Sequence, residues 1–303
     1  MGIKTDRHAY LILAHHEFGI LERLLAALDD ERNSIYIHID SKVVSWPELK
    51  VHSGVLHVLE NRIDVRWGDL SVVEAELLLF RTAINEGPYA YYHLISGVDM
   101  PLLNQSQIHA FFRKHSGKEF IGYSCGDQSL QLSRKVQRYH LFPGSFRKDA
   151  GIAYELKRII RAVVLRFQLL VGLRRNDHIE FKKGTQWVSV TEDFVSYLLD
   201  KEKVIKAMYK MTFCADEVVL QTICWHSRFR GQLYDVDNEG VGSQRFIRWK
   251  DNILHDWGNE DIEELLNSGY MFARKFNSIQ MEVVDQILKH ILSSEANEKT
   301  NAE

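Results

Sequence analysis

Ala9-Tyr-Leu-Ile-Leu-Ala14, followed at once by His15-His16-Glu17, is the stretch that sets the architecture of this chain. A run of apolar residues closed by polar ones reads as a strand buried on both faces, with its carboxyl end open to a ligand. Leu21, Leu24, Leu25 and Leu28 then recur at helical spacing, and Ser34-Ile-Tyr-Ile-His-Ile-Asp40 repeats the strand pattern. Leu56-His-Val-Leu59 reads as a third strand. Ser71-Val-Val-Glu74 has the form of a capping box, and Leu70, Val73, Leu77, Phe80 and Ile84 follow as a helical stripe. Tyr91-Tyr-His-Leu-Ile95 is another strand, running into Ser96-Gly-Val-Asp-Met-Pro101. This β-α-β alternation predicts an α/β fold with a mostly parallel central sheet flanked by helices.

Beyond Asn104 the pattern loosens. Residues 123–180 form an excursion rich in basic and aromatic side chains, Lys182 to Val190 returns as a strand, and Thr191-Glu-Asp-Phe starts a helix. An amphipathic helix over Ile279 to Leu292 closes the fold. The expected organisation is one domain over residues 1–292, with halves of about 1–122 and 123–292, and a polar tail over 293–303 that frays.

With 303 residues, 45% hydrophobic content and a net charge of -3, the chain can bury a large core but carries no basic excess for nucleic acid. Cys125, Cys214 and Cys224 are odd in number and lack C-x-x-C spacing, which speaks against a disulfide framework or structural zinc and for a reducing compartment. Neither a signal-peptide pattern nor an apolar run of ~18–20 residues is present, so a cytoplasmic location is expected. One segment qualifies that. Tyr154 to Arg175 mixes Lys157, Arg158, Arg161, Arg166, Arg174 and Arg175 with Ile, Val, Leu and Phe. Such a helix suits peripheral contact with the inner face of the plasma membrane, or else a partly buried helix whose arginines snorkel or bind acidic groups.

Ligands of open α/β sheets bind beyond the carboxyl ends of the strands, where His15, His16, Asp40 and Asp99 collect. Nucleophile elbows, phosphate loops and H-E-x-x-H helices are missing. His15 and His16, leaving a strand side by side, are expected on opposite faces, which suits hydrogen bonding or packing better than a shared metal. Asp235-Val-Asp237 could hold magnesium or manganese, but between Gly231 and Gly240 it reads as a turn. Phe213-Cys-Ala-Asp-Glu-Val-Val-Leu-Gln-Thr222 places an acidic pair at the start of an apolar helical run. The pair is a helix start or, at Glu217, a general base.

Several blocks, in order, make the sequence similar to the core 2/I-branching β-1,6-N-acetylglucosaminyltransferase family, which also includes the peptide O-xylosyltransferases. They are Ala9 to His15, Ile35-Tyr-Ile-His-Ile-Asp-Ser-Lys42, Val65-Arg-Trp-Gly-Asp-Leu-Ser-Val-Val-Glu-Ala75, Tyr92-His-Leu-Ile-Ser-Gly-Val-Asp-Met-Pro-Leu102, Lys183-Gly-Thr-Gln-Trp187, Asp216-Glu217 and Phe272-Ala-Arg-Lys-Phe276. The first strand begins with no Golgi-type anchor or stem ahead of it, which points to a bacterial-type member.

The resemblance implies a GT-A-type glycosyltransferase fold and an inverting transfer from a UDP-sugar, with no metal or other cofactor. In its terms Glu217 matches the general base and Asp216 caps the helix or orients Glu217. Lys275 matches the diphosphate-binding lysine, with Arg245, Arg248 or Arg274 as a second cation. His15 and Asp40 match uridine contacts, Trp67 belongs to the donor-side loop, and Asp99 orders the donor sugar or forms an Asx turn. Arg134, Arg138 and Tyr139 fall on the acceptor side, while Trp187 stacks on a sugar or belongs to the core. The implied partners are a UDP-sugar and an oligosaccharide or lipid-linked saccharide acceptor, in surface polysaccharide biosynthesis. A non-catalytic sugar-nucleotide or polysaccharide-binding protein is a separate class of reading. A glycoside hydrolase is another, but it needs a second acid that no motif nominates.

Overall fold

The structure is a computed structural model that describes residues 5–146, 151–250 and 253–302, with side chains through residue 296. Its first half follows the expected alternation: β1 (His8–Ala14), α1 (Phe18–Leu28), β2 (Asn33–Ile39), β3 (Val55–Val58), α2 (Ser71–Glu86), β4 (Tyr91–Ser96), β5 (Asp99–Pro101) and α3 (Gln105–Lys114). There follow α4 (Ser129–Lys135), α5 (Ile152–Leu170), β6 (Ser189–Thr191), α6 (Glu192–Asp200), α7 (Glu202–Tyr209), α8 (Val219–Trp225) and α9 (Glu239–Ser243). The chain closes through β7 (Arg245–Ile247), β8 (Trp249–Lys250), β9 (Ile253–Leu254), α10 (Ile262–Asn267), β10 (Phe272–Arg274) and α11 (Met281–Ala302).

The central sheet has the order β3-β2-β1-β4-β6. β1, β2, β3 and β4 run parallel, and β6 pairs antiparallel to β4 at the edge. Side-chain alternation explains why β1 is apolar throughout. Ala9 and Leu11 enter the core under α2 and α6, whereas Tyr10 and Ile12 enter the core under α1 and α11. The register Ala14↔Ile39 and Leu13↔Ser96 brings three carboxyl ends to one level. A second sheet, β5-β10-β7, stands against that level and sets Arg274 opposite Asp99 and Ile247.

Three local expectations change. Ser71 does not cap α2; its Oγ accepts the Arg66 amide at 2.9 Å and so ties down the preceding loop. The strand expected from Lys182 shrinks to Ser189–Thr191, because residues 183, 184 and 188 bond three different partners: Ser124, Glu217 and Leu94. The closing helix continues past Leu292 to Ala302. Thr191 does cap α6, its Oγ1 accepting the Phe194 amide at 3.3 Å.

Candidate active site

The crevice beyond β1, β2 and β4 is built around a buried carboxylate. Asp99 Oδ2 accepts the Ser96 amide at 2.9 Å, and Oδ1 accepts the Ser96 hydroxyl at 2.7 Å and Arg274 Nη1 at 2.6 Å. Ser96 Oγ also accepts from Arg274. The guanidinium is pinned at its base while its plane lies 4.2 Å from the centroid of Trp187. Trp187 is buried at 7% exposure in the core under α2, so its face supports Arg274. Lys275, next in sequence, is half-exposed, with Nζ 3.3 Å from Asp256.

The other basic residues separate by environment. Arg245 is buried at 1% exposure, donating to the carbonyls of Ser243 and Val188 at 2.8 Å each and to Ser189 Oγ at 3.0 Å. Burial lowers its pKa to about 9, against the pull of Asp99. The structure therefore places Arg245 inside the fold and outside the crevice. Arg248 follows β7 directly and bonds Asp261 at 2.7 Å and Glu264.

On the β1 and β2 side, His15 and His16 do not diverge. Their rings stack at 4.0 Å and 15°, because β1 ends at Ala14 and the alternation of a strand no longer applies to the two residues that follow. Although their edges are exposed, the surrounding protein desolvates His15 and, with the neighbouring His16, lowers its pKa to about 4 despite Asp40. Asp40 is buried at 5% exposure and held by the Lys42 amide at 2.9 Å and ammonium at 2.7 Å. Lys42 also reaches Asp64 at 2.7 Å, fixing the loop that carries Trp67.

The acidic pair closes the other end. Cys214 at φ 52 opens a 3-10 turn over Ala215–Glu217, and α8 begins only at Val219, neither element being capped by a side chain. Asp216 thus lies inside a tight turn instead of at a helix cap, and its Oδ1 is buried without a hydrogen-bond partner. Burial first, then the charge of Glu217, push its carboxyl up to about 7. Glu76 of α2 is buried at 2% exposure near Asp216; burial and then Asp216 drive its pKa well above the carboxylate range, while Gln186 donates to it at 2.6 Å.

Glu217 faces outward. Its Oε2 accepts Lys135 Nζ at 2.7 Å and lies 3.7 Å from Lys183 Nζ. Burial works against the charge on Lys135, but Glu217 prevails and raises its pKa. Glu239 Oε2 accepts the Ser124 hydroxyl at 3.1 Å close to Lys183, and burial raises its pKa.

Two connections join the crevice to the acidic pair. Gly184 donates its amide to the Glu217 carbonyl at 2.9 Å, and Trp187 under Arg274 is three residues further on. Even fully extended, three residues span no more than about 11 Å. A Cβ at Gly184 would stand 1.9 Å from the Gly122 carbonyl, so only glycine permits this approach. The Trp67 loop makes the second link. The Cys214 amide donates to the Gly68 carbonyl at 3.0 Å, and Trp67 meets Phe213 edge-on at 5.4 Å.

The residues expected on the acceptor side divide. Arg134 is exposed, with its carbonyl bonded by His140 Nε2 at 2.7 Å. Tyr139 is exposed at 41% and carries Arg175 4.7 Å over its ring. Arg138 turns inward at 4% exposure, donating to the Gln137 carbonyl at 3.0 Å. Lys135, between them and unremarked in the sequence, is the one that reaches Glu217. Lys183 belongs to the Lys183-Gly-Thr-Gln-Trp187 motif, whereas nothing in the local pattern around Glu76 or Glu239 distinguishes them from solvent-facing acids. Asp235 forms a turn, its Oδ1 accepting the amides of Asp237 at 2.9 Å and Asn238 at 2.8 Å.

Fold and site together define an α/β enzyme with a carboxylate and fixed cations at the carboxyl ends of a parallel sheet. Residues 8–265 match the Core-2/I-Branching enzyme family, and the chain belongs to that family of glycosyltransferases. It is 24% identical over 290 residues to the Mus musculus N-acetyllactosaminide beta-1,6-N-acetylglucosaminyl-transferase, covering 88% of this chain and 68% of the relative. It is 23% identical over 312 residues to the Rattus norvegicus xylosyltransferase 2, covering 95% of this chain and 34% of that protein. Among solved structures, the apo form of mouse xyloside xylosyltransferase 1 aligns at 9% identity with a TM-score of 0.34, covering 76% of this chain and 84% of that one.

Proposed function

We propose that this chain transfers N-acetylglucosamine or xylose from a UDP-sugar to a carbohydrate hydroxyl, with inversion and without a metal, in surface polysaccharide biosynthesis. The observation that carries the reading is the segment Gly184 to Trp187, which holds Glu217 at one end and Arg274 at the other. That short segment keeps the Glu217 turn and the Arg274 guanidinium in one neighbourhood. Glu217 takes the proton of the acceptor hydroxyl, and the oxygen attacks the anomeric carbon. The bond to the diphosphate oxygen breaks on the opposite face. Lys275 and Arg274 neutralise the charge that gathers on the leaving UDP, in the role a divalent ion would otherwise fill.

In this reading His15, Asp40 and Trp67 take the uridine end, and Asp99 sets Arg274 for the sugar phosphate. Arg134 and Tyr139 lie on the approach of an oligosaccharide or lipid-linked saccharide. Glu217→Gln is the test: turnover of UDP-sugar should fall by about 100-fold or more while UDP still raises the melting temperature. Undiminished turnover in the variant overturns the role of Glu217. Wild-type activity in excess EDTA tests the second part; abolition by EDTA with rescue by manganese overturns the metal-free reading.

A further inference from the structure

Helix α5 is inverted relative to an ordinary surface helix. Its one buried residue is polar: Gln168, at 2% exposure, clasps the backbone of Tyr139, accepting its amide at 2.8 Å and donating to its carbonyl at 2.9 Å. Arg161 lies 4.3 Å over the Phe146 ring. Most of its large apolar residues face out. Ile152, Leu156, Ile159, Val163, Phe167 and Leu170 recur at helical spacing along one line, 90% exposed at Ile152 and 85% at Leu170. Nineteen residues make that line about 28 Å long. No helix among the described residues is long and apolar enough to cross a membrane.

We infer that α5 docks this protein on an anionic lipid bilayer, its outward stripe entering the headgroup boundary and the surrounding cations meeting lipid phosphates. Charge selects the occupant. Between Gly151 and Arg175 there are six Lys and Arg residues and a single acid, Glu155, whose carboxylate is already paired with Arg158 at 2.8 Å. Arg166 and Arg174 are exposed beside the stripe. A second copy of the same face would oppose cations with cations, whereas an anionic surface satisfies both the charges and the stripe. The inner side of α5 leads to the candidate site: Arg161 covers Phe146, which packs 4.3 Å from Phe213, three residues before Asp216. Docking would therefore hold the acceptor approach at the membrane surface, and it can be tested without any measurement of turnover.

Co-sedimentation with phosphatidylcholine vesicles, with and without phosphatidylglycerol, tests the inference. The full chain should bind the anionic vesicles, bind neutral ones weakly, and dissociate as salt rises. Val163→Asp and Phe167→Asp change residues that are 58% and 59% exposed, so the melting temperature should hold while partitioning falls by about tenfold for each. Arg166→Glu with Arg174→Glu should weaken anionic binding and leave the neutral background unchanged. Equal binding of both vesicle types, no binding to either, or binding indifferent to all four substitutions overturns the proposal. So does self-association in sedimentation equilibrium that Phe167→Asp abolishes without any vesicle binding.

Discussion

Lys135 Nζ lies 2.7 Å from Glu217 Oε2, so the outward carboxylate of the acidic pair is held by a lysine whose own carbonyl accepts the Phe213 amide at 3.0 Å. Lys135 ends α4, and Glu217 ends the 3-10 turn before α8. The contact fixes one rotamer of a side chain that its own turn leaves free.

If Glu217 is the base proposed above, Lys135→Met should lower kcat by roughly tenfold to 100-fold, because a misplaced base loses catalysis even when it is chemically intact. UDP affinity should stay the same, and Lys135→Arg should restore part of the rate. Steady-state kinetics with UDP titration separates these outcomes; a parallel loss of UDP affinity would move Lys135 to the donor.

Lys275 is half-exposed and 3.3 Å from Asp256, a contact that a diphosphate can displace. Lys275→Ala should weaken UDP binding by roughly tenfold to 100-fold, the value of one charge-assisted hydrogen bond. Calorimetric titration reads this directly, and unchanged affinity would remove Lys275 from the diphosphate.

Arg245 predicts the opposite signature. Its removal takes one donor from each of the buried acceptors of Ser243, Val188 and Ser189, although Val188 keeps the Leu94 amide and Ser189 keeps His93 Nδ1. Arg245→Met should cost about 2–4 kcal/mol in urea denaturation, with UDP affinity of the folded protein unchanged.

Asp216 makes stability depend on pH. Its carboxyl titrates near 7 in the folded protein against an ordinary value of 3.8. The folded state therefore favours the protonated form, and its contribution is fully present below pH 3.8 and lost as pH rises towards 7. Asp216→Asn should escape that loss. Relative to wild type, its melting temperature should rise between pH 4 and pH 8, by no more than about 4 kcal/mol equivalent at 1.36 kcal/mol per unit. Parallel curves for the two proteins would show that Asp216 is ionised in the fold.

The strands at Ala9 to Ala14, Ser34 to Ile39 and Tyr91 to Ile95 were legible because burial on both faces forces apolar runs, and polar residues mark where burial ends. That reasoning also found His15, Asp40 and Asp99 at one level of the sheet. It could not separate Arg245 from Arg274. Both are arginines in short strands, and only the sheet β5-β10-β7 decides that one enters the core while the other meets Asp99. Asp216 and Glu217 show the same limit. Their sequence admits a helix start, but the left-handed backbone at Cys214 opens a turn in which one carboxyl lies inward, beside buried Glu76, and the other reaches Lys135. The amphipathic composition of α5 was likewise plain from its residues, while the direction of its apolar side depended on Gln168 gripping Tyr139. Periodicity is a local property that the chain carries in its own order. Which face of an element turns inward depends on partners about 30 to 180 residues away, and only the folded structure brings them together.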